Sequence, residues 1–129
     1  MGADRSTSER VGPVGVAIVD DDRRYGTALA DLIELSDHFV VVGVAEGVES
    51  GNTLLGNQAV QLGLVDVNMA GGGGQAIIRT CRTWSERPTL VLISAQAPPP
   101  DVEELGVPFI AKDELDTQLL WTLWRQSAR

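Results

Sequence analysis

Five apolar runs punctuate the chain: VGVAIVD (14–20), FVVVGVA (39–45), LGLVD (62–66), TLVLIS (89–94) and VPFIA (107–111). The first two are continuous and rich in valine and isoleucine, which predicts strands buried on both faces. Between the runs the period changes. From Arg23 to Ser36, Tyr25, Leu29, Leu32 and Ile33 follow helical spacing, and Asp22 stands where an N-cap belongs. Residues 48–60 are weakly helical, since Gly51 and Gly56 oppose a helix there. Gln75 to Ser85 predicts a helix with Ile77, Ile78 and Cys81 turned inward. After the proline run of APPPDVEELG only a turn or two of helix can fit. Asp113 is placed to cap a last helix that runs to about Ser127.

Strand and helix thus alternate five times, the pattern of a doubly wound parallel α/β sheet. Its crossovers should be right-handed, and ligands should bind beyond the carboxyl ends of its strands. Residues 1–13 read as a polar, flexible tail and 14–129 as one domain. The tail lacks a signal-peptide core but matches the short myristoylation pattern, with Gly2 and Ser6.

Composition narrows the picture. A net charge of -8 argues against direct nucleic-acid binding or an anionic membrane surface, and permits cations. No apolar run approaches the roughly 20 residues of a membrane span. One cysteine, Cys81, excludes an internal disulfide framework and fits a reducing, cytoplasmic compartment.

The strand ends carry the chemistry. The first strand ends at Asp20, with Asp21 and Asp22 behind it; the third ends at Asp66; the fourth at Ser94; Lys112 follows the fifth. Singly, an aspartate after a strand is ordinarily a cap, and a serine or lysine there a surface residue. Jointly they put acids, a hydroxyl and an ammonium on one edge. Two carboxylates about 4 Å apart repel by a few kcal/mol at an effective dielectric near 20, a large fraction of a domain's stability of about 5–15 kcal/mol. Hard oxygen ligands in that arrangement suit magnesium, and Lys112 and Ser94 suit phosphoryl oxygens.

At this point IVDDD, LVDVNM, LISA and FIAK, in that order, resemble the four signatures of the response-regulator receiver domain. The resemblance covers residues 14 to about 127. It implies a flavodoxin-like sheet of order 2-1-3-4-5 that accepts a phosphoryl group from a sensor histidine kinase, catalysing only its own phosphorylation and dephosphorylation. By the same resemblance Asp66 is the phosphoacceptor. Asp20 and Asp21 are the magnesium-site acids, and Asn68 lends a backbone carbonyl. Ser94 is the hydroxyl that follows the phosphoryl group, Phe109 the aromatic switch and Lys112 the lysine of the family.

The departures are local. In MAGGGG, Gly71 and Gly74 match glycines of the family, whereas Gly72 and Gly73 stand where it has a larger residue and an acid, and Ala70 replaces its proline. This predicts an unusually mobile loop. The interval from Ser94 to Lys112 is shorter than usual, so the fourth helix is clipped. Asp113 follows Lys112 in place of the frequent proline. A flavin mononucleotide binder would not place Asp20 to Asp22 against its phosphate, an aspartate phosphatase would want an acid at Asn68, and no P-loop follows the glycines. The alternative that remains is a receiver fold that is never phosphorylated and acts as an interaction module.

His38 reads as a turn residue and Trp84 as a cover at a helix end. On the last helix, with Leu115 at zero, Leu119, Leu123 and Leu120 fall at about 40°, 80° and 140°, and Trp124 and Trp121 at about 180° and 240°. The tryptophans lie beyond the core stripe. Either one folds into the gap left by the clipped helix, or Trp121 and Trp124 form a contact surface for a second copy or an output protein.

Overall fold

The computed structural model describes residues 12–127. The Gly2 and Ser6 pattern, and all of the tail but Gly12 and Pro13, lie outside the described residues. The elements are β1 (Val14–Val19), α1 (Arg23–Glu34), β2 (Phe39–Ala45), α2 (Val48–Leu55), β3 (Leu62–Asp66), α3 (Gly73–Cys81), β4 (Thr89–Ser94), α4 (Val102–Leu105), β5 (Phe109–Ala111), a 3-10 turn (Lys112–Glu114) and α5 (Thr117–Ser127). All four strand pairings are parallel, and the sheet order is β2-β1-β3-β4-β5, as expected. No helix among the described residues is long and apolar enough to cross a membrane.

Alternation along β1 explains why its run carries no polar residue. Val16 and Ile18 join Leu29 and Ile33 of α1 and Leu120 of α5 in one core. Ala17 and Val19 point the other way, into a core with Leu55 of α2, Ile77, Ile78 and Cys81 of α3, and Leu105 of α4. A strand with helices on both faces must be apolar at every position. β2 differs from expectation. Its place at the sheet edge is the one the expected order implies, but it is not buried on both faces: Val40 and Val44 are each 40% exposed. Its pairing with β1 shifts between Val16 and Ala17, where Val42 bulges out of register. Away from β1, the Val41 N–H donates to Glu34 Oε2 at 2.6 Å.

Helix boundaries show where local chemistry outweighed periodicity. Asp22 caps α1 by accepting the Tyr25 N–H at 3.2 Å. The clipped α4 has four residues. α2 stops at Leu55, short of residue 60. The last helix is not capped by Asp113, which lies in the 3-10 turn. Asp116 takes that role, accepting the Leu119 N–H at 2.8 Å, so Leu115 is buried ahead of the helix rather than on it. Trp121 folds inward, stacked on His38 with ring centroids 3.7 Å apart and edge-on to Phe39 at 6.0 Å. His38 is therefore more than a turn residue. Trp124 and Trp84 are each partly buried against a core, on opposite faces of the sheet.

The glycine run is a built turn. Gly71, Gly72 and Gly73 have φ of 86°, 101° and 62°, and α3 starts at Gly73, two residues earlier than its periodicity suggests. At Gly73 a Cβ would stand 1.9 Å from the carbonyl oxygen of Val67, so both conformation and space demand glycine. Gly106, at φ 71°, caps α4 with nothing within 4 Å of a Cβ. Gly106→Ala should therefore cost about 1 kcal/mol from the backbone alone, whereas Gly73→Ala should cost several-fold more. Urea denaturation of the two variants checks this, and equal losses would mean that the Val67 contact relaxes freely.

Candidate functional site

Asp20 follows β1 directly, and its backbone N–H still bonds the Ala45 carbonyl at 2.9 Å, so it is held as firmly as the strand. Asp66 is the last residue of β3 and is 3% exposed; Ser94 ends β4 and is fully buried. Register places Asp66 beside Ile93 and Ser94 beside Ala111, one residue before Lys112. Parallel strands therefore deliver these side chains to one edge.

Carboxylate oxygens of Asp20, Asp21 and Asp66 lie within 4.8 Å of one another. Asp20 Oδ1 accepts the Asp22 N–H at 2.8 Å. Lys112 Nζ lies 2.7 Å from Asp20 Oδ2 and 3.7 Å from Asp66 Oδ1. The first is an ion pair without the direction of a hydrogen bond. Asp20 Oδ2 and Asp66 Oδ1 are both buried without a hydrogen-bond donor among the described residues, but the ammonium at 2.7 Å compensates Asp20 Oδ2 and leaves Asp66 Oδ1 the less satisfied of the two. Such oxygens cost free energy unless a cation or proton satisfies them. Three acids against one ammonium, with hard oxygens open, fit a divalent cation of the magnesium type.

The cluster perturbs its central acid. Burial, then the charge of Asp20, push the Asp66 carboxyl up to about 6, against smaller opposing effects of the Asn68 backbone N–H and Lys112. Ser94 Oγ accepts the Gln96 N–H at 3.0 Å and a long contact from Asn68 Nδ2 at 3.4 Å. Asp20, Asp21, Asp66, Asn68, Ser94 and Lys112 thus converge as the sequence suggested. Phe109 is partly buried against the α3 side of the sheet, at the start of β5. Trp121 is not at this edge: Phe39, which it touches, begins β2 and so marks the opposite end of the strands.

One neighbour was missed. Tyr25, read only as an apolar position of α1, places its ring centroid 4.4 Å from Lys112 Nζ. A tyrosine in the first turn of a helix whose cap follows Asp20 was the available signal. A cleft of about 360 Å³ beside it is lined by Asp22, Tyr25, Ala95, Lys112 and Asp113. A larger cleft of about 560 Å³, lined by Trp84, Arg87 and Trp124 among others, lies where β4 begins. A still larger cleft, about 870 Å³, lies between β2 and α2, lined by Val44, Glu46 and Leu54 among others, so size alone does not find the site; charge and buried carboxylate oxygens do.

The family model for the response regulator receiver domain matches residues 16–116. This chain belongs to that family. The receiver domain of the putative response regulator NarL from Mycobacterium tuberculosis superposes with a TM-score of 0.80 at 23% identity, covering 91% of this chain and 98% of that one. CheY6 of R. sphaeroides, solved in complex with the P1 domain of CheA3, gives 0.74 at 26% identity over 88% of this chain and 98% of that chain. Transcriptional regulatory protein MalR of Bacillus subtilis is 29% identical over 82 residues, 64% of this chain and 35% of MalR. This receiver therefore spans about a third of the length of that relative. Its place in two-component signalling follows from the family.

A raised carboxyl titration favours the protonated folded state. Stability from this group is thus fully present below about pH 4 and lost as pH rises through about 6. In EDTA at pH 7.5, Asp66→Asn should melt higher than wild type by roughly 5 °C, equivalent to about 1 kcal/mol for a domain this size. The gap should close as pH falls from 6 to 4. Thermal melts across that range check both the sign and the window.

Proposed function

We propose that this receiver accepts a phosphoryl group on Asp66 from the phosphohistidine of a sensor histidine kinase, in a magnesium-dependent reaction. The observation that carries the reading is Asp66 Oδ1: buried, without a hydrogen-bond donor, and 3.7 Å from Lys112 Nζ at the end of a rigid strand. A nucleophile so placed has no solvation shell to shed and no freedom to miss an in-line approach.

The chain's own groups then have defined tasks. An Asp66 carboxylate oxygen bonds to phosphorus as the bond from phosphorus to the histidine nitrogen breaks, and the imidazole keeps that electron pair and takes a proton. Lys112 supplies positive charge to the phosphoryl oxygens. Ser94 Oγ already accepts from Gln96 and Asn68, which leaves its O–H free to donate to a phosphoryl oxygen. Asp20, Asp21 and Asp66, with the Asn68 backbone carbonyl, would hold magnesium, which when bound neutralises charge on those oxygens. Engagement of Ser94, with Phe109 as its aromatic partner in switching, would convert the acyl phosphate into a changed surface. Trp121 and Trp124 keep part of their area exposed and would dock a second copy or an output protein.

Acetyl phosphate with magnesium chloride should add one phosphoryl mass to the intact protein, and Asp66→Asn should not gain it. An unmodified wild type would instead support the interaction module. Sedimentation at rising concentration, with and without beryllofluoride and magnesium, should show self-association that Trp124→Ala weakens; a monomer throughout would rule out the homodimer.

A further inference from the structure

Lys112 has three partners at the strand-end edge. Two are the carboxylates of Asp20 and Asp66, at 2.7 and 3.7 Å. The third is the face of Tyr25, 4.4 Å from Nζ to the ring centroid. The ammonium is nearly dry, with the side chain 13% exposed. A lysine ends in a compact point charge on a flexible four-carbon stem and needs fixed contacts to stay in one place. Neither carboxylate, though held by its strand, is reserved for the lysine. Asp66 loses its free carboxylate once it carries a phosphoryl group, and Asp20 belongs to the acidic cluster that fits a cation.

Tyr25 is fixed. It lies in the first turn of α1, and its backbone N–H is tied to the Asp22 side chain at 3.2 Å. Asp22 adjoins Asp21 and bonds back to Asp20 Oδ1 at 2.8 Å, so the ring is referenced to the acids themselves. The tyrosine and the lysine also share the walls of the 360 Å³ cleft beside the site. Burial and the charges of Asp20 and Asp66 push the Tyr25 phenol up to about 12. The ring thus stays neutral and acts through its π face rather than as an anion.

We infer that Tyr25 is a positioning residue whose ring face holds the Lys112 ammonium against the strand-end acids, and so sets where positive charge meets a phosphoryl group on Asp66. This rests on the phosphoacceptor reading above. The ring acts through its π charge, not merely as apolar cover, and shape-conserving replacements separate the two.

The test uses the full chain. The rate of phosphorylation by acetyl phosphate with magnesium is followed by intact mass for wild type, Tyr25→Phe, Tyr25→Leu and a chain carrying trifluorophenylalanine at position 25. Tyr25→Phe should retain most of the rate. The fluorinated ring keeps the shape but loses the negative face, and should slow transfer about 3- to 10-fold relative to Tyr25→Phe, within the range of a desolvated cation–π contact. Tyr25→Leu should slow it similarly. In metal-free protein, the Lys112 Hε protons should resonate upfield in wild type and Tyr25→Phe through the ring current. Should Tyr25→Leu fail to fold, the fluorinated ring and the proton shifts still decide. Equal rates for the phenyl and trifluorophenyl chains, or Lys112 protons at ordinary shifts, would overturn the positioning role alone. A wild type that takes no phosphoryl group would overturn the phosphoacceptor reading, and this role with it.

Discussion

One lysine stands against three aspartates at the edge of a buried sheet, and the remaining architecture serves that imbalance. Carboxylates within 4.8 Å of each other cannot be tolerated on flexible loops, where they would move apart into water. They persist because Asp20 and Asp66 are rooted in β1 and β3, whose side chains are buried along their length. The cores on the two faces of the sheet hold those strands in place, and the strands hold the acids. Stability gained in apolar packing is thus spent on one electrostatically unfavourable edge, which the proposed magnesium and phosphoryl group would relieve.

Much of this was legible from the order of residues. A parallel sheet sends every strand's carboxyl end to the same side, so the sequence alone places Asp20, Asp66, Ser94 and Lys112 at one edge. The clipped α4 was accessible from the proline run before it, whereas the sheet order came from the family resemblance and not from periodicity. What could not be read depends on exchange between near-equivalent local options. Asp113 and Asp116 are both plausible caps, and only the 3-10 turn after Lys112 decides between them. The β2 run looks as buried as β1, yet an edge strand has less covering it than a central one. Tyr25 satisfied the helical period, and its ring orientation toward Lys112 is a tertiary fact.

The glycines were half legible. Four in succession suggested looseness, since glycine relaxes backbone constraints. The structure uses three of them for successive left-handed residues, and the third brings the chain against the Val67 carbonyl. The turn returns the chain from the end of β3 to the start of α3 while Asp66 stays at the strand end. The aromatic group at the other end of the strands is similarly structural in part. Trp121 lies flat on His38, which ties α5 to the turn before β2.

That turn leads into the most vulnerable line of the molecule. β2 is a sheet edge whose outward backbone groups could template another strand, and its valines at 40 and 44 are the kind of side chains that make such pairing adhesive. The Glu34 carboxylate already occupies the Val41 N–H, filling a ladder position that an intruding chain would need. It also places an anion beside that ladder, which any approaching strand would have to desolvate. A single side chain at the end of α1 thus blocks one ladder position of the exposed edge, a charged guard of the kind that discourages edge-to-edge pairing.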